Sequence, residues 1–356
     1  MHLWLRAEQR DFERRVGLTP QGVEQLLAQG FRVTVERSEA RAIPDAAYLA
    51  TGCEMAPAHS WPNAPADAIV LGLKELDPHG PDLVHRHIMF GHAYKGQADG
   101  PALLSRFKRG GGRLLDLEYL TNVDGRRVAA FGYWAGFAGA ALGVMAWAAQ
   151  ASSQVLGAIG TYPGREALVA DVSAKMKEAV ANATKAPRVI VIGAKGRVGT
   201  GACNLAQALG LEVTAWDMAQ TAHGGPFPEI LEHEIFVNCI LASPGVPVFV
   251  PKGAVEASRR LGVIADVSCD PSSDYNPIPV YDRATSFDAP LVQVGSASAP
   301  LDVMAIDNLP SLLPVESSQD YAGQLLPHLA ALGDDPDGVW QRASEIFDMH
   351  VARLKS

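Results

Sequence analysis

Titratable side chains are dense in the first 130 residues, where they stand beside short apolar runs that read as strands. Lys74 and Glu75 directly follow one such run, AIVLGL. Charged groups at the ends of parallel strands line clefts, so this region is a candidate ligand site. For any single arginine or glutamate the alternative is a solvated, salt-bridged surface. The other residues of the region are Arg6, Glu8, Arg10, Glu13, Arg15, His85, His87, His92, Tyr94, Lys95, Asp116, Glu118, Arg126 and Arg127.

Three histidines in this region allow a second interpretation, a metal site. His85 and His87 are alternate residues and would share one face of a strand, with His92 close behind. No second cluster of metal-binding side chains stands nearby in the sequence. We therefore do not expect a bound metal.

A glycine-rich turn at 193–201 reads GAKGRVGTG and lies between the β-branched run VIVI and a helical pattern. Gly193, Gly196 and Gly199 follow the spacing Gly-x-x-Gly-x-x-Gly. Glycine lets the backbone turn tightly and approach a pyrophosphate, and the N–H groups at the start of the next helix attract that anion. The sequence therefore predicts a dinucleotide-binding turn, with an ordinary tight strand-to-helix turn as the alternative.

The predicted dinucleotide is NAD. Asp217 lies 24 residues after Gly193, at the end of the next predicted strand. A carboxylate there accepts hydrogen bonds from the adenosine ribose hydroxyls and repels a 2′-phosphate. Lys195 and Arg197 weaken the preference over NADP, because either cation could reach a phosphate.

The first third of the chain predicts a strand, a helix and a strand in the segments HLWLRAE, TPQGVEQLLAQG and FRVTVER. Thr19 is the predicted N-cap of the helix, Pro20 is its first residue, and Gly30 is the residue that ends it. The segment AIVLGLK at 68–74 predicts a further buried strand. This order indicates a parallel sheet covered by helices.

The rest of the chain repeats that order. After Pro187, the run VIVI predicts a central strand, followed by a helix over about 199–209 and strands in LEVTAWD, EIFVNCI and GVIADVS. The segments LPSLLP, SQDYAGQLLPHLAAL and GVWQRASEIFDMHVARLK predict helices that pack on the first domain. At 356 residues the chain is long for one core and suits two. The sequence therefore predicts an α/β protein with two doubly wound domains.

Residues 128–164 carry no charged side chain, so a membrane helix has to be considered. The stretch is built mainly from alanine and glycine, which gain little free energy on transfer into lipid. Small residues also let a helix pack closely against protein on all sides. We therefore expect a buried helix between the domains.

Composition excludes several classes of protein. The formal net charge is -9 and no long basic run is present, so we expect no nucleic-acid partner. The four cysteines lie far apart without a Cys-x-x-Cys pair, so we expect free thiols rather than a zinc site or a disulfide framework. The N-terminal MHLWLRAEQRDFERR is too charged for a signal peptide, which favours a cytoplasmic location.

Several segments together resemble the NAD-dependent, lysine-forming saccharopine dehydrogenases best known from fungi, which are relatives of alanine dehydrogenase. The resemblance spans nearly the whole chain and is carried by LRAEQRDFERRVGLTP, IVLGLKE, FGHAYKGQ, LLDLEYL, GRRVAAFGYWAGFAGAALGV, VIGAKGRVGTGA, ADVSCDPSSDYNPIPVY and IDNLPSLLP. It implies two Rossmann-like doubly wound domains with an interdomain cleft. By this resemblance, residues 1–128 and 308–356 form the substrate domain, and 129–307 form the NAD-binding domain with the linking helix.

The resemblance also implies the reaction: saccharopine, NAD and water are interconverted with lysine, 2-oxoglutarate and NADH, through oxidation of an amine to an imine and its hydrolysis. Lys74 and His92 are then the acid–base pair, and Glu75 and Glu118 tune their pKa values. The implied substrate-binding residues are Arg10, Glu13, Arg15 and Arg127. The implied cofactor-binding residues are Gly193, Gly196, Arg197, Gly199, Asp217 and Asp307. The fungal resemblance further implies a monomer.

The chain departs from the fungal pattern in four places. Val198 stands where those enzymes can carry a cysteine, so a disulfide to Cys239 cannot form. Arg10 replaces a lysine, Asn308 a histidine, and Lys195 an apolar residue of the glycine-rich turn. Two alternatives stay open: a related NAD-dependent dehydrogenase that acts on a different amino acid and oxo acid pair, and a non-catalytic NAD-binding regulator.

Overall fold

The chain folds into two compact units in the computed structural model, which describes residues 1–10, 13–181, 185–296 and 298–354. The first unit comprises Met1–Ala130 and Pro314–Ser356, and the second is Phe131–Leu313. Each unit is built around one mainly parallel sheet. The predicted α/β class with two Rossmann-like doubly wound sheets is therefore confirmed.

The first unit begins with the predicted strand, helix and strand: β1 (His2–Leu5), α1 (Pro20–Ala28) and β2 (Arg32–Glu36). Thr19 caps α1 as predicted, because its side-chain oxygen accepts the N–H of Gly22. The backbone turns at Gly30 with a φ of 84°, a conformation that glycine adopts without strain. The unit continues with α2 (Asp45–Leu49), β3 (Glu54–Ala56), β4 (Ile69–Leu71), β5 (Arg86–Met89), α3 (Gly100–Gly110) and β6 (Arg113–Asp116).

Among the described residues, the first six strands form a parallel sheet in the order β3-β2-β1-β4-β5-β6. β1 therefore lies between β2 and β4, and the chain reverses its path across the sheet at that point. Ligands of such sheets bind outside the carboxyl ends of the strands at the reversal. The segments that follow β1 and β4 are accordingly where a ligand of this unit is expected.

The second unit repeats the arrangement. In chain order its elements are α4 (Gly132–Ala151), α5 (Arg165–Ala181), β7 (Val189–Ile192), α6 (Arg197–Ala208), β8 (Val213–Trp216), α7 (Met218–Thr221), α8 (Pro228–Glu232), β9 (Ile235–Asn238), β10 (Val263–Asp266), β11 (Val292–Gln293) and β12 (Asp302–Met304). The sheet order is β11-β12-β10-β9-β7-β8, and only the β11–β12 pair of the described strands is antiparallel. Here the reversal falls at β7, directly before the glycine-rich turn.

The chain then returns to the first unit with α9 (Pro314–Ala330) and α10 (Val339–Ala352). The segment LPSLLP was expected to pack there too, but it forms a short 3₁₀ helix whose leucines lie in the core of the second unit. Ser318 of α9 accepts the backbone N–H of Val16 at 2.9 Å. Arg113 of β6 donates to the carboxylate of Asp348 on α10 at 2.8 Å. Four short 3₁₀ helices complete the described elements: Trp61–Asn63, Leu117–Tyr119, Lys252–Val255 and Leu309–Leu312.

The uncharged stretch forms α4, and its central residues from Gly136 to Ala148 are all buried. The helix packs on α6, α5 and the second sheet, so it belongs to the core of the second unit. In the part of the chain that the structure describes, we find no helix with the length and apolar character needed to cross a bilayer. The helix is therefore buried as predicted, but it lies in the core of the second unit and not between the domains.

Two glycines allow α4 and α6 to touch backbone to backbone. A Cβ atom on Gly136 would overlap the carbonyl oxygen of Val198, and one on Gly201 would overlap the carbonyl oxygen of Tyr133. Backbone atoms cannot move aside as the end of a flexible side chain can. The alanine- and glycine-rich composition of α4 thus serves close helix packing within the protein.

We expect Gly201→Ala to destabilise the second unit by roughly 2–3 kcal/mol, because the added methyl group forces α6 away from α4. The measurement is the urea concentration at the midpoint of unfolding, followed by tryptophan fluorescence. Gly323→Ala on α9 is the matched control, since its Cβ would meet no atom within 4 Å. That control should be neutral or slightly stabilising. Equal midpoints for Gly201→Ala and the wild type would contradict this account of the packing.

Candidate active site

The predicted site residues of the first unit follow the carboxyl ends of four strands. Arg10 follows β1, Lys74 and Glu75 follow β4, His92 follows β5, and Glu118 follows β6. Because the sheet is parallel, these strand ends meet at one edge. The fold therefore brings together residues that are up to 108 positions apart in the sequence.

Lys74 occupies a partly buried position in which its cationic form is disfavoured. Burial lowers the pKa of its ammonium group below the ordinary value, and the Arg15 guanidinium lowers it further. Glu13 raises it, Arg10 lowers it, and Glu75 raises it, in decreasing order of effect. A lysine of lowered pKa gives up its proton more readily and can act as a base.

Arg15 is already engaged in a buried bidentate ion pair. Its Nε donates to Oε1 of Glu13 at 2.8 Å and its Nη2 donates to Oε2 at 2.6 Å. Burial raises the pKa of Glu13, but the hydrogen bonds from Arg15 outweigh it and hold the value below normal. A substrate carboxylate that binds Arg15 must therefore share the guanidinium group with Glu13.

Glu75 connects the end of β4 to the end of β5. Its Oε2 lies 2.9 Å from Nδ1 of His92, and its Oε1 pairs with the Arg10 guanidinium. Burial raises the pKa of Glu75, but the hydrogen bond from His92 and the charges of His92 and Arg10 lower it to about 2. Glu75 is therefore a carboxylate in the working range of the protein, and it favours the His92 tautomer that carries a proton on Nδ1.

The backbone at His92 is unusual, because its φ is 46° although it is not a glycine. Such left-handed conformations cost energy for ordinary residues and are concentrated at functional sites. The next residues of this loop lead to Lys95, whose Nζ donates to Oε1 of Glu118 at 2.8 Å. The loop thus links the ends of β5 and β6.

Glu118 is shared between two cations, since Nη2 of Arg127 lies 3.2 Å from the same Oε1 that binds Lys95. Burial raises its pKa, whereas Lys95, Arg127 and His92 together lower it below the ordinary value. Glu118 therefore stays a carboxylate among the cations at the ends of β5 and β6.

Two residues at this edge were counted in the candidate region from the sequence but were given no role there. Lys95 pairs with Glu118, and Asp116 is only 1% exposed. Asp116 accepts the N–H groups of Gly91 at 3.1 Å and Glu118 at 2.9 Å, and burial raises its pKa to about 6. The signal was present in the sequence, because Lys95 follows His92 by three residues and Asp116 precedes Glu118 by two.

The histidines considered as metal ligands do not converge on one point. His85 and His87 do share a face of the sheet, with ring centroids 6.3 Å apart, but both are buried. His87 packs edge-on against Trp61 and Phe107, whereas His92 lies with Glu75. Across residues 1–10, 13–181, 185–296 and 298–354, no three metal-binding side chains come together.

In the second unit, the glycine-rich turn has the geometry that a pyrophosphate requires. Gly193 adopts a φ of 87°, and its carbonyl oxygen accepts the N–H of Gly196 at 3.0 Å. Gly196 is the N-cap of α6, which therefore begins at Arg197, two residues earlier than predicted. A Cβ on Gly199 would overlap the Gly193 carbonyl oxygen. The turn thus brings a helix N-terminus and bare backbone to the end of β7, as a dinucleotide site needs.

Asp217 directly follows β8, is the N-cap of α7 and lies beside this turn. Its Oδ2 accepts the N–H of Lys195 at 3.1 Å and its Oδ1 accepts the N–H of Met218 at 2.8 Å. Lys195 and Arg197 are both exposed in the turn. Asp307 is exposed beyond the end of β12, where its charge acts on Cys269. These residues surround the carboxyl edge of the second sheet, which fits a bound dinucleotide.

Comparison with known proteins agrees with the α/β fold described above. The family described as alanine dehydrogenase/PNT, N-terminal domain, matches residues 4–138. Among solved structures, an L-alanine dehydrogenase superposes with a TM-score of 0.67 at 19% identity, covering 98% of this chain and 94% of that one. A transhydrogenase from Sinorhizobium meliloti superposes with a TM-score of 0.59 at 17% identity, covering 93% of this chain and 94% of that one. At these identities the likeness shows the fold alone.

Similarity in sequence is much higher to two fungal proteins. Saccharopine dehydrogenase [NAD(+), L-lysine-forming] of Neurospora crassa is 46% identical over 99% of this chain and 97% of its own length. The protein of the same name from Schizosaccharomyces pombe is 44% identical over 99% of this chain and 99% of its own. The resemblance found in the sequence is thereby confirmed, and the chain belongs to the family of NAD⁺-dependent, L-lysine-forming saccharopine dehydrogenases.

Proposed function

We propose that this chain is a saccharopine dehydrogenase, which converts saccharopine, NAD⁺ and water into L-lysine, 2-oxoglutarate, NADH and a proton, and catalyses the reverse reaction. The observation that carries the proposal is that the paired strands β4 and β5 are followed by Lys74, whose pKa is lowered, and His92, whose Nδ1 lies 2.9 Å from Oε2 of Glu75. The reaction needs two proton-transfer groups, one for the amine and one for water. The full-length fungal relatives carry that activity in their names.

Lys74 acts first and last in the proposed mechanism. In its neutral form it takes the proton from the secondary ammonium group of saccharopine. NAD⁺, when bound, supplies the acceptor for the hydride that leaves the neighbouring carbon. After the resulting imine has been hydrated, the protonated Lys74 returns its proton to the nitrogen of the departing lysine. One group thus serves as base and then as acid.

His92 is the general base that activates the water molecule. With Nδ1–H donated to Glu75, its Nε2 is the basic nitrogen and takes a proton as water adds to the imine carbon. As the carbon–nitrogen bond breaks, the added oxygen becomes the carbonyl of 2-oxoglutarate, and its remaining proton ends on the amine of the departing lysine. The proton on His92 then passes to solvent, which balances the reaction. Glu75 fixes the tautomer of His92 by accepting its Nδ1–H. The negative charge of Glu118, at the end of β6, stabilises the protonated form of His92.

Three carboxylates of saccharopine need cationic partners, and guanidinium groups suit them. Arg10, Arg15 and Arg127 fill this role in the proposal, with Glu13 orienting Arg15 through their bidentate pair. Arg10 and Arg127 are each about half exposed and already face a carboxylate, Glu75 or Glu118. Substrate carboxylates would compete for these cations, which couples substrate binding to the charges around His92.

The cofactor is held by the second unit. Gly193, Gly196 and Gly199 give the pyrophosphate access to the backbone and to the N-terminus of α6. Arg197 stands at that N-terminus, Asp217 binds the ribose, and Asp307 lines the same edge. We propose NAD rather than NADP as the cofactor because the Asp217 carboxylate would repel a 2′-phosphate.

Location and assembly are part of the proposal. All four cysteines are free thiols, which fits a reducing compartment, and we place the protein in the cytoplasm as a monomer. Its partners are the small molecules of the reaction, and we propose no nucleic-acid ligand. Analytical ultracentrifugation at micromolar concentration tests the monomer, and a dimer would contradict it.

We expect Asp217→Ala to raise the KM for NAD⁺ by about 10- to 100-fold, the loss expected for hydrogen bonds to a charged group. kcat should change little, since Asp217 takes no part in proton transfer. Its carboxylate also repels a 2′-phosphate, so the ratio of kcat/KM for NADP⁺ to that for NAD⁺ should rise. Initial rates with both cofactors provide the measurement. An unchanged KM would remove Asp217 from the ribose site.

The pH dependence follows from the environment of Lys74. In saccharopine oxidation this lysine must be neutral, so activity falls as the pH drops through its pKa. Because burial and then Arg15 lower that pKa, the fall should be centred below the ordinary lysine value of about 10.4. A profile of kcat/KM against pH tests this. The fall in activity at low pH should disappear in Lys74→Met. A fall centred at or above the ordinary lysine pKa would contradict the assignment of Lys74 as the base.

Substrate identity is tested by NADH absorbance with purified protein and pairs of an amino acid and an oxo acid. We expect consumption of NADH with lysine and 2-oxoglutarate, and little with ornithine, with alanine or when pyruvate replaces the oxo acid. NADPH should be a poor replacement. Consumption with another pair would move the chain to a related dehydrogenase, and binding of NADH without consumption would indicate a regulator.

A further inference from the structure

The peptide groups on both sides of the Lys74 Cα atom are held by a buried ion pair from the end of β1. Oε1 of Glu8 accepts the N–H of Leu73 at 2.7 Å, and Oε2 accepts the N–H of Lys74 at 3.0 Å. Arg6 donates from Nη2 to the carbonyl oxygen of Lys74. Nη1 of Arg6 lies 3.4 Å from Oε2 of Glu8, and the two side chains are 0% and 9% exposed. Glu8 and Arg6 together form what we call the Lys74 clamp.

The strand before Lys74 is adapted to this clamp. The backbone N–H of Arg6 donates to the carbonyl oxygen of Leu71 at 2.9 Å, which continues the pairing of β1 with β4. The Arg6 guanidinium then passes directly over Gly72, where a Cβ atom would overlap it. A glycine two residues before Lys74 therefore leaves room for a buried cation to reach the Lys74 carbonyl group.

A buried ion pair is an expensive way to stabilise a strand end, because both charges must leave water. Apolar side chains of similar volume usually stabilise a core at least as well. What the pair adds is geometry, since a carboxylate that accepts two successive N–H groups fixes the direction of the chain. The residue fixed in this way is the one that exchanges protons with the substrate in the proposed mechanism.

We propose that Arg6 and Glu8 are positioning residues for catalysis, which act by holding the backbone of Lys74 so that its amine meets the substrate nitrogen. This inference rests on the proposed function, in which Lys74 is the acid–base group. A displacement of about 1 Å at a reacting group can cost about 10²-fold in rate. The clamp touches neither substrate nor cofactor in this account, so its loss affects the proton-transfer steps and leaves cofactor binding unchanged.

The experiment compares Glu8→Gln with a matched control. Asp45 also pairs with a buried arginine, Arg41, and accepts a backbone N–H, from Ser38, while Arg41 donates to a backbone carbonyl group. Glu8→Gln should lower kcat by about 10²-fold and leave the dissociation constant for NADH unchanged. Asp45→Asn should lower the unfolding midpoint and leave kcat within twofold. Wild-type kcat in Glu8→Gln, or an equal loss in Asp45→Asn, overturns the inference.

A double variant separates positioning from a general structural effect. In Lys74→Met, Glu8→Gln should cause no further loss of rate, because Glu8 acts through Lys74. The rate is measured with enzyme in excess over NADH, so that slow turnover is detected. An additional loss of 10²-fold in the double variant would make the role structural. A fully active Lys74→Met would overturn the catalytic assignment of Lys74 itself. Failure of the positioning role and failure of the proposed function therefore give different results.

If Glu8→Gln does not fold, Glu8→Asp takes its place. Aspartate keeps the negative charge beside Arg6, so no buried cation is left without its counter-charge, but it is one methylene too short to reach both N–H groups. A loss of kcat of about tenfold or more, again without change in NADH binding, supports positioning. Wild-type kcat in a folded Glu8→Asp overturns it.

Discussion

Lys74→Met should lower kcat by about 10⁴-fold in both directions, the upper range for loss of a general acid–base group. Methionine has a similar length and no titratable group, so the pocket stays filled while the proton acceptor is lost. The expected loss is large because Lys74 serves twice, first taking the amine proton and later returning it to the leaving nitrogen. Binding of NADH, which belongs to the second unit, should be unchanged.

The measurement is kcat from NADH absorbance, together with the dissociation constant for NADH from fluorescence titration. Lys108→Met is the matched control, since it makes the same chemical change on the exposed face of α3 in the same unit. That variant should keep the wild-type kcat. Wild-type kcat in Lys74→Met would remove Lys74 from the mechanism, and weak binding of NADH would mean that the substitution had disturbed more than proton transfer.

His92→Gln should lower the steady-state kcat for saccharopine oxidation by about 10³-fold, because no other base is assigned to the water. In the proposed order of steps His92 acts after the hydride has left the substrate. The variant should therefore form NADH quickly in the first turnover and then slowly, as the substrate imine waits for hydrolysis. Lys74→Met should show no such burst, since its defect precedes hydride transfer.

Stopped-flow absorbance of NADH with saccharopine in excess distinguishes a variant with a burst of NADH from one without it. The burst in His92→Gln should equal the concentration of active sites. His79→Gln, at an exposed histidine of the same unit, is the control and should behave as the wild type. A His92→Gln variant without a burst would place this residue before hydride transfer, and one with wild-type turnover would exclude it from catalysis.

Local signals in the sequence were sufficient for the elements that begin each unit. Thr19, Pro20 and Gly30 mark the ends of α1 through capping and backbone preference, which depend on few neighbours. The run VIVI and the three glycines after it likewise predicted β7 and the turn into α6. These features needed no information about tertiary structure.

The strands β5 and β6 were not among those predicted from the apolar pattern, although a strand at His85 and His87 was considered for a metal site. β5 reads RHIM with His85 directly before it, and its polar residues hide the apolar pattern of a strand buried on both faces. His87 is nevertheless fully buried, packed between Trp61 and Phe107. Tertiary packing outweighed local propensity there, as it often does for short central strands.

The contacts that define the site lie between strands that are distant in sequence. Glu8 and Lys74 are 66 residues apart and meet because β1 pairs with β4. Lys95 and Glu118 meet because β5 pairs with β6. The family resemblance identified Lys74, His92 and Glu118 from the sequence. It did not predict which side chains form hydrogen bonds or ion pairs with them.

Arg15 illustrates the same limit for a single side chain. Its residue type and the family resemblance make it a partner for a substrate carboxylate. In the folded chain its Nε and Nη2 atoms bind Glu13, two residues earlier. Such an ion pair depends on burial of both side chains, which no pattern in the segment ERR reveals.

The most direct test of the central claim is product analysis after saccharopine oxidation. Purified protein is incubated with saccharopine and NAD⁺, and lysine, 2-oxoglutarate and NADH are quantified by mass spectrometry and absorbance. The proposed function predicts equal amounts of all three products, with their formation abolished in Lys74→Met. NADH without lysine and 2-oxoglutarate, or no NADH in a protein that binds the cofactor, would contradict it.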